Sequence, residues 1–372
     1  MTGKKILFLV SSMGAGGAER VAASLCSDWA GQGHDVVLMP TFSGRGECLY
    51  QIDSRVRIEY LADKVGTTRK TFMSGLRRFS TLRRFIREFK PHVVVSFLPN
   101  VNVAALLAAY GMGIPVVVSE RNYPPLENLG AILRLLRWLC YRTAEYVVAQ
   151  TQDMAEWIAH HCPGSRVVVI PNPVVWPLSD GLPALAPADI VGEDRRILLA
   201  VGRLSKQKGF DNLFAAFARV AVLHPQWDLA ILGEGKERGS LEMLRDELGL
   251  ADRVFMPGRL GNMSTWYERA DIFVLASRYE GFPNVLAEAM AAGVPVVAMD
   301  CLTGPRDIVR HRSDGLLIAP ESGISGLSQG LKMLMDDDKL RQNLGFCAVD
   351  VRERFSLARV SGLWRDVMGI GS

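Results

Sequence analysis

A chain of 372 residues that is 49% hydrophobic and 22% charged has room for two domains with ordinary cores and is too apolar to be disordered. Six scattered cysteines with no Cys-x-x-Cys pair exclude a disulfide framework and fit a reduced, cytoplasmic protein. The net charge of +4 is uneven: residues 1–180 hold 20 Lys and Arg against 14 Asp and Glu, residues 181–372 hold 23 against 25, and the basic first half suits anionic partners such as phosphates or membrane lipid.

The N-terminal MTGKKILFLVSSMG has an apolar run too short for a signal peptide and reads as a first strand. Next, VSSMGAGGAERVAASL runs strand, glycine turn, helix. Gly14, Gly16 and Gly17 would let an anion approach the backbone at a helix start. The spacing matches neither the dinucleotide nor the P-loop pattern, and a glycine turn without a ligand reads equally well. Strands are also predicted at DVVLMP, HVVVSF, PVVVSE, YVVAQT and VVVIPN.

The stretch Arg69 to Lys90 is helical, with Phe72, Leu76, Phe79, Leu82, Ile86 and Phe89 on one face and eight basic residues against the single acid Glu88. Either the basic face is merely solvated, or Arg77, Arg78, Arg83 and Arg84 meet anionic lipid or phosphate. Residues 91–119 hold no charged side chain, but Pro99, Asn100, Gly111, Gly113 and Pro115 interrupt them, so strand, helix, strand is expected in place of a membrane span. The pair His160 and His161 lacks a third metal ligand at useful spacing and reads as a helix end.

Residues 172–196 are proline-rich and aperiodic, a natural linker. A second series of strands follows at RILLAVGRL, DLAILGEG, RVFMPGRL, DIFVLAS, PVVAMD and DGLLIAP. Continuous apolar strands alternating with helices predict parallel sheets covered on both faces. The expected fold is α/β, two Rossmann-like doubly wound domains at 1–180 and 181–354 facing across a cleft. The amphipathic segment at about 355–372 is expected to pack back on the first domain.

Chemistry concentrates in the second half. Arg203 ends a strand and Lys208 opens the next helix, a pair able to clamp a diphosphate. Gly233 and Gly235 serve packing or binding equally well. In SRYEGFPNVLAEAM, Glu280 sits in a turn fixed by Phe282 and Pro283, Asn284 starts a helix, and Glu288 lies about one turn inside. The helix start can meet a phosphate through the Asn284 and Val285 amides, and Glu288 can accept the two hydroxyls of a ribose. The run Asp336, Asp337, Asp338 reads as a turn with a capping acid and not as a metal site. A dehydrogenase would need G-x-G-x-x-G and an acid ending the second strand; neither is present.

Together GGAER, GRLSKQKG, GEGKERGSLE, EGFPNVLAEAMAAGVPVVAMDCLTGPRDIV and ERFS resemble glycosyltransferase family 4, retaining transferases of GT-B fold. The likeness extends over nearly the whole chain and is greatest to bacterial N-acetylgalactosaminyl and related hexosaminyl transferases acting on lipid-linked oligosaccharides. The resemblance implies a UDP-sugar donor, a polyprenyl-diphosphate-linked saccharide acceptor, no metal or other cofactor, no nucleic acid partner, and a cytoplasmic location at the anionic inner face of the membrane. It assigns Arg203 and Lys208 to the donor diphosphate, Glu288 to the ribose, Glu280 to the transferred sugar, Asn284 and Val285 to phosphate through their amides, and Gly16 and Gly17 to the sugar phosphate. Where many members carry a histidine, VVVSERNYPP has Glu120 and Arg121, and Arg121 would face the acceptor. A transferase using another UDP-hexose and a soluble acceptor, or an inactive sugar- or lipid-binding scaffold, are the alternative functions.

Overall fold

The computed structural model describes residues 3–14, 16–44, 48–66, 72–127 and 129–371. The chain separates into two compact units. The first runs to Pro173 and resumes at Leu357; the second is Val174–Ser356.

The first unit holds a seven-stranded sheet of β1 (Lys5–Val10), β2 (Asp35–Pro40), β3 (Arg57–Ile58), β4 (Val93–Phe97), β5 (Val116–Ser119), β6 (Tyr146–Ala149) and β7 (Val167–Val169). The spatial order is 3-2-1-4-5-6-7 and the pairings are parallel. Its helices are α1 (Gly17–Gly31), α2 (Leu61–Val65), α3 (Phe72–Phe89), α4 (Pro99–Ala109), α5 (Ala131–Tyr141) and α6 (Gln152–His161). In β1 the period of two divides the core. Ile6, Phe8 and Val10 pack toward α1, while Leu7 and Leu9 join the cluster under α3 to α6. Residues 91–119 form β4, α4 and β5 as expected, and no helix among the described residues is long and apolar enough to cross a membrane.

The second unit holds a six-stranded sheet of β8 (Arg196–Val201), β9 (Trp227–Leu232), β10 (Val254–Gly258), β11 (Ile272–Leu275), β12 (Val296–Met299) and β13 (Leu316–Ile318), in the order 10-9-8-11-12-13. Its helices are α7 (Pro187–Val191), α8 (Phe210–Ala221), α9 (Arg238–Glu247), α10 (Met263–Arg269), α11 (Asn284–Ala291), α12 (Pro305–Ile308), α13 (Gly323–Asp336), α14 (Asp338–Ala348) and α15 (Val351–Arg354). Ile197 and Leu199 face one core, Leu198 and Ala200 the other.

Helix α16 (Leu357–Val367) belongs to the first unit, beside α1. The Trp29 indole donates to Ser361 Oγ at 2.9 Å, and the Trp29 and Trp364 rings lie 6.4 Å apart. The two sheets are doubly wound, and in each the strand order reverses beside the first strand, β1 or β8. Ligands of such sheets bind at the carboxyl ends of the strands at that reversal.

Candidate functional site

The reversal in the second unit lies between β8 and β11, which pair in parallel. The loop leaving β8 is held from one side by the loop leaving β9. Gly202 N donates to Leu232 O and Leu204 N to Glu234 O, both at 3.0 Å. A Cβ at Gly233 would lie 1.9 Å from Gly202 O, and one at Gly235 2.2 Å from Leu204 O. Gly233 and Gly235 are therefore packing glycines that set the path of the Arg203 loop.

On the other side the β8 loop is stitched to the β11 loop. Arg278 N donates to Gln207 O at 2.8 Å, Gln207 Nε2 to Tyr279 O at 3.0 Å, and Arg278 pairs with Asp211 at 2.6 Å. Gly209 makes the approach feasible: its φ is +64°, and a Cβ would sit 2.1 Å from Ala276 O. The result is an ion pair between Lys208 Nζ and Glu280 Oε1 at 2.6 Å. Ser277 Oγ donates to the same carboxylate oxygen at 2.6 Å, and Thr303 Oγ1 donates to the Glu280 carbonyl. Glu280 is 6% exposed, so its charge is compensated by Lys208 and Ser277. Arg203 is exposed and has no ion-pair partner among the described residues.

Helix α11 starts at Asn284 as expected, with no side chain capping it and with Asn284 and Val285 half-buried in its first turn. Glu288 is 4% exposed and accepts from Tyr267 Oη at 3.1 Å. The turn before α11 is braced by the segment after β12. Gly304 has φ +96°, and a Cβ there would meet Pro283 Cδ at 2.7 Å and Gly281 O at 2.8 Å. Burial, aided by Glu280, pushes the Cys301 thiol up to about 12, which keeps it protonated and unsuited as a nucleophile.

In the first unit Gly16 and Arg121 are each held by contacts of their own. Gly16 precedes α1, and its amide is already bonded: Gly16 N donates to Tyr50 Oη at 2.9 Å, and Tyr50 Oη donates to Gly16 O at 2.8 Å. A Cβ at Gly16 would lie 2.2 Å from Glu19 Oε2, while Gly17 is exposed. Arg121 does not face outward. It is 6% exposed, its guanidinium carbon lies 3.4 Å from the Phe97 ring centroid, and Nη1 donates to Asn172 Oδ1 at 2.7 Å. Its place in the chain, just past β5, turns it onto Phe97 at the end of β4 and toward Trp364 of α16.

Glu120 is fully buried. It accepts from Tyr141 Oη at 2.6 Å, and Arg137 Nη1 lies 3.7 Å away. Burial, with a smaller push from Glu127, raises its carboxyl to about 7.

The basic face of α3 is also corrected. Arg78 is 6% exposed and stacks over Phe42 at 5.1 Å. Arg83 Nη1 donates to Ala108 O at 2.8 Å and Tyr110 O at 3.0 Å, closing the end of α4. Arg77 and Arg84 are exposed, and so is Leu76, assigned above to the apolar face. Arg69, Lys70 and the side chain of Phe72 lie outside the described residues. Asp337 caps α14 through Leu340 N at 2.9 Å, and His160 and His161 end α6. Among the described residues no group of three or more His, Cys, Asp or Glu is placed to hold a metal.

The fold thus gathers Lys208 and Glu280 in direct contact, with Arg203 and Glu288 on the same loops and helix. Four positioning residues went unseen in the sequence: Ser277, Thr303, Tyr267 and Tyr50. Ser277, three residues before Glu280, was within reach of local reasoning. The other three come from distant segments.

Residues 15–175 match the family described as Glycosyltransferase Family 4, and residues 187–348 match Glycosyl transferases group 1. The chain is 25% identical to an uncharacterized glycosyltransferase of Haemophilus influenzae over 98% of this chain and 100% of the relative. It is 26% identical, over 97% of each, to a Campylobacter jejuni protein named GalNAc-alpha-(1->4)-GalNAc-alpha-(1->3)-diNAcBac-PP-undecaprenol alpha-1,4-N-acetyl-D-galactosaminyltransferase. Sucrose-phosphate synthase of Thermosynechococcus elongatus superposes with TM-score 0.83 at 19% identity, over 98% of this chain and 100% of that one. Anabaena HepE, solved with UDP and glucose, does so with TM-score 0.81 at 20% identity, over 98% and 99%. These structures show the same fold. The chain belongs to the GT-B glycosyltransferases, a Glycosyltransferase Family 4 domain followed by a Glycosyl transferases group 1 domain.

Proposed function

We propose that the protein is a retaining, metal-independent transferase that moves a hexosamine, N-acetylgalactosamine first among candidates, from its UDP-sugar to a polyprenyl-diphosphate-linked saccharide at the inner face of the cytoplasmic membrane. The observation that carries this reading is the Lys208–Glu280 pair at the strand reversal, beside the exposed Arg203 and one helix from the buried Glu288. Named relatives that act on undecaprenol-linked GalNAc acceptors, and a structural neighbour that holds UDP, support it.

In this reaction the bond from the anomeric carbon to the β-phosphate oxygen breaks, and an acceptor hydroxyl attacks from the same face. Its proton passes to the departing phosphate oxygen, giving UDP and the extended saccharide. Arg203, Lys208 and the start of α11, with the Asn284 and Val285 amides, stabilise the charge that builds on the diphosphate. Lys208 exchanges part of its contact with Glu280 for the phosphate, which frees a Glu280 oxygen for a sugar hydroxyl. Glu288 accepts the ribose diol. Gly16 and Gly17 stay the phosphate-approach positions of the first unit, with Tyr50 fixing their turn. Arg77 and Arg84 serve the anionic acceptor or lipid.

The test is transfer from a panel of UDP-sugars to lipid-linked acceptor by wild type, Arg203→Ala and Lys208→Ala. Each variant should lose turnover by roughly 10² or more. Wild-type rates in both would place the diphosphate elsewhere.

A further inference from the structure

Helix α5 carries an apolar ridge that faces water. Ile132, Leu135 and Trp138 are 77%, 55% and 44% exposed, spaced three residues apart along one side of the helix. A globular helix normally turns such a stripe inward. Here the inward side is taken by other groups: Arg137, Cys140 and Tyr141 are buried, Tyr141 bonds Glu120, and Arg137 stacks over Trp157 at 4.8 Å. Leu133, Leu136 and Leu139 also pack on the core, so the helix is anchored along its inner side and presents Ile132 and Leu135 outward.

The surroundings of the ridge are basic. Helix α5 contains no acid, Arg134 and Arg142 are exposed beside the ridge, and the Arg142 guanidinium lies 5.7 Å from the Trp138 ring centroid. In the same layer α3 packs on α4 and α4 on α5. Exposed there are Met73 of α3 and Tyr110 just after α4, at 60% and 71%, with Arg77 and Arg84 of α3. Apolar side chains with an interfacial tryptophan, fringed by arginines and free of acids on the helix itself, match the boundary of an anionic bilayer, where the apolar groups enter the acyl region and the guanidiniums meet phosphates. A protein partner of ordinary composition would ask for acids among the cations, and α5 offers none.

We infer that the α5 ridge of Ile132, Leu135 and Trp138 is the element that inserts into an anionic lipid surface, with Arg134 and Arg142 binding headgroups. Helix α5 follows β5 in a parallel sheet, so its first turns stand at the carboxyl edge of the strands, the edge where Gly16 and Gly17 lie. This deepens the proposed reading of a lipid-linked acceptor and rests on it: insertion there brings a bilayer-anchored chain to the working edge of the first unit.

The experiment measures partitioning of the full chain onto vesicles with and without phosphatidylglycerol, in the absence of substrates. Ile132→Asp/Leu135→Asp should lower the partition coefficient by about tenfold or more, with thermal unfolding and UDP binding unchanged. Arg134→Gln/Arg142→Gln should weaken binding only to the anionic vesicles. Partitioning of Ile132→Asp/Leu135→Asp equal to wild type overturns the inference. So does a wild-type dimer in solution that this variant makes monomeric, because the ridge is then an interface between copies. Vesicle binding needs no transfer, so a wild type that binds as described yet transfers nothing would overturn the proposed reaction and leave the ridge in place.

Discussion

Lys208 and Glu280 restrain each other. With side chains 17% and 7% exposed, each is the other's main compensation, and removing one leaves a buried charge. Lys208→Met should therefore cost about 3 kcal/mol of stability as well as activity. The double variant Lys208→Met/Glu280→Gln should regain most of that stability and none of the turnover. Urea unfolding beside initial rates separates the two effects, and a double variant as unstable as the single would show that the pair is not the compensating contact.

Glu120 gives a pH prediction of definite sign. Its folded carboxyl stands at about 7 against an ordinary 4.5, so between those values the native state holds a proton that the unfolded chain has released. Stability should fall as pH rises through that window, by about 3 kcal/mol in all. Glu120→Gln keeps an acceptor for Tyr141 Oη and should flatten that fall. An unchanged slope between pH 4.5 and 7 would contradict the buried, protonated Glu120.

At the scale of elements, the loops depend on glycines whose space is occupied. Gly209→Ala forces a side chain onto Ala276 O in a left-handed conformation, and should cost about 2 to 4 kcal/mol by urea unfolding while loosening the Lys208–Glu280 contact. A loss under ~0.5 kcal/mol would mean that the β8 and β11 loops are not locked together.

The same scale shows what the sequence made legible. Long apolar strands announced themselves, because strands buried on both faces need no alternation. β3 did not: two residues, with Arg57 exposed, carry no pattern. On α3 the apolar stripe was visible but its bounds were misplaced. At about 100° per residue, Arg78 falls on the row of Leu82 and Ile86, whereas Leu76 lies well off it, so the buried arginine was legible from the wheel and the composition hid it. The candidate site's Arg203, Lys208 and Glu280 were legible because they follow strand ends. Thr303 and Tyr267 were not, since their contacts with the Glu280 carbonyl and Glu288 join segments 23 and 21 residues apart.

For the whole molecule, the division of charge accompanies a division of labour in the proposed function. The net positive charge sits in residues 1–180, which form most of the unit assigned to acceptor and lipid, and the near-neutral remainder carries the diphosphate clamp. In the proposed reaction cations on side chains do the work that a metal would do, and turnover should be insensitive to chelators. The most direct measurement is transfer of labelled sugar from its UDP donor into polyprenyl-diphosphate-linked saccharide, recovered by solvent extraction, with EDTA present throughout. The account predicts labelled lipid product from wild type, lowered roughly 10² or more by Arg203→Ala. Absence of product from every UDP-sugar, product only when Mg²⁺ or Mn²⁺ is restored, or an undiminished rate from Arg203→Ala would contradict it.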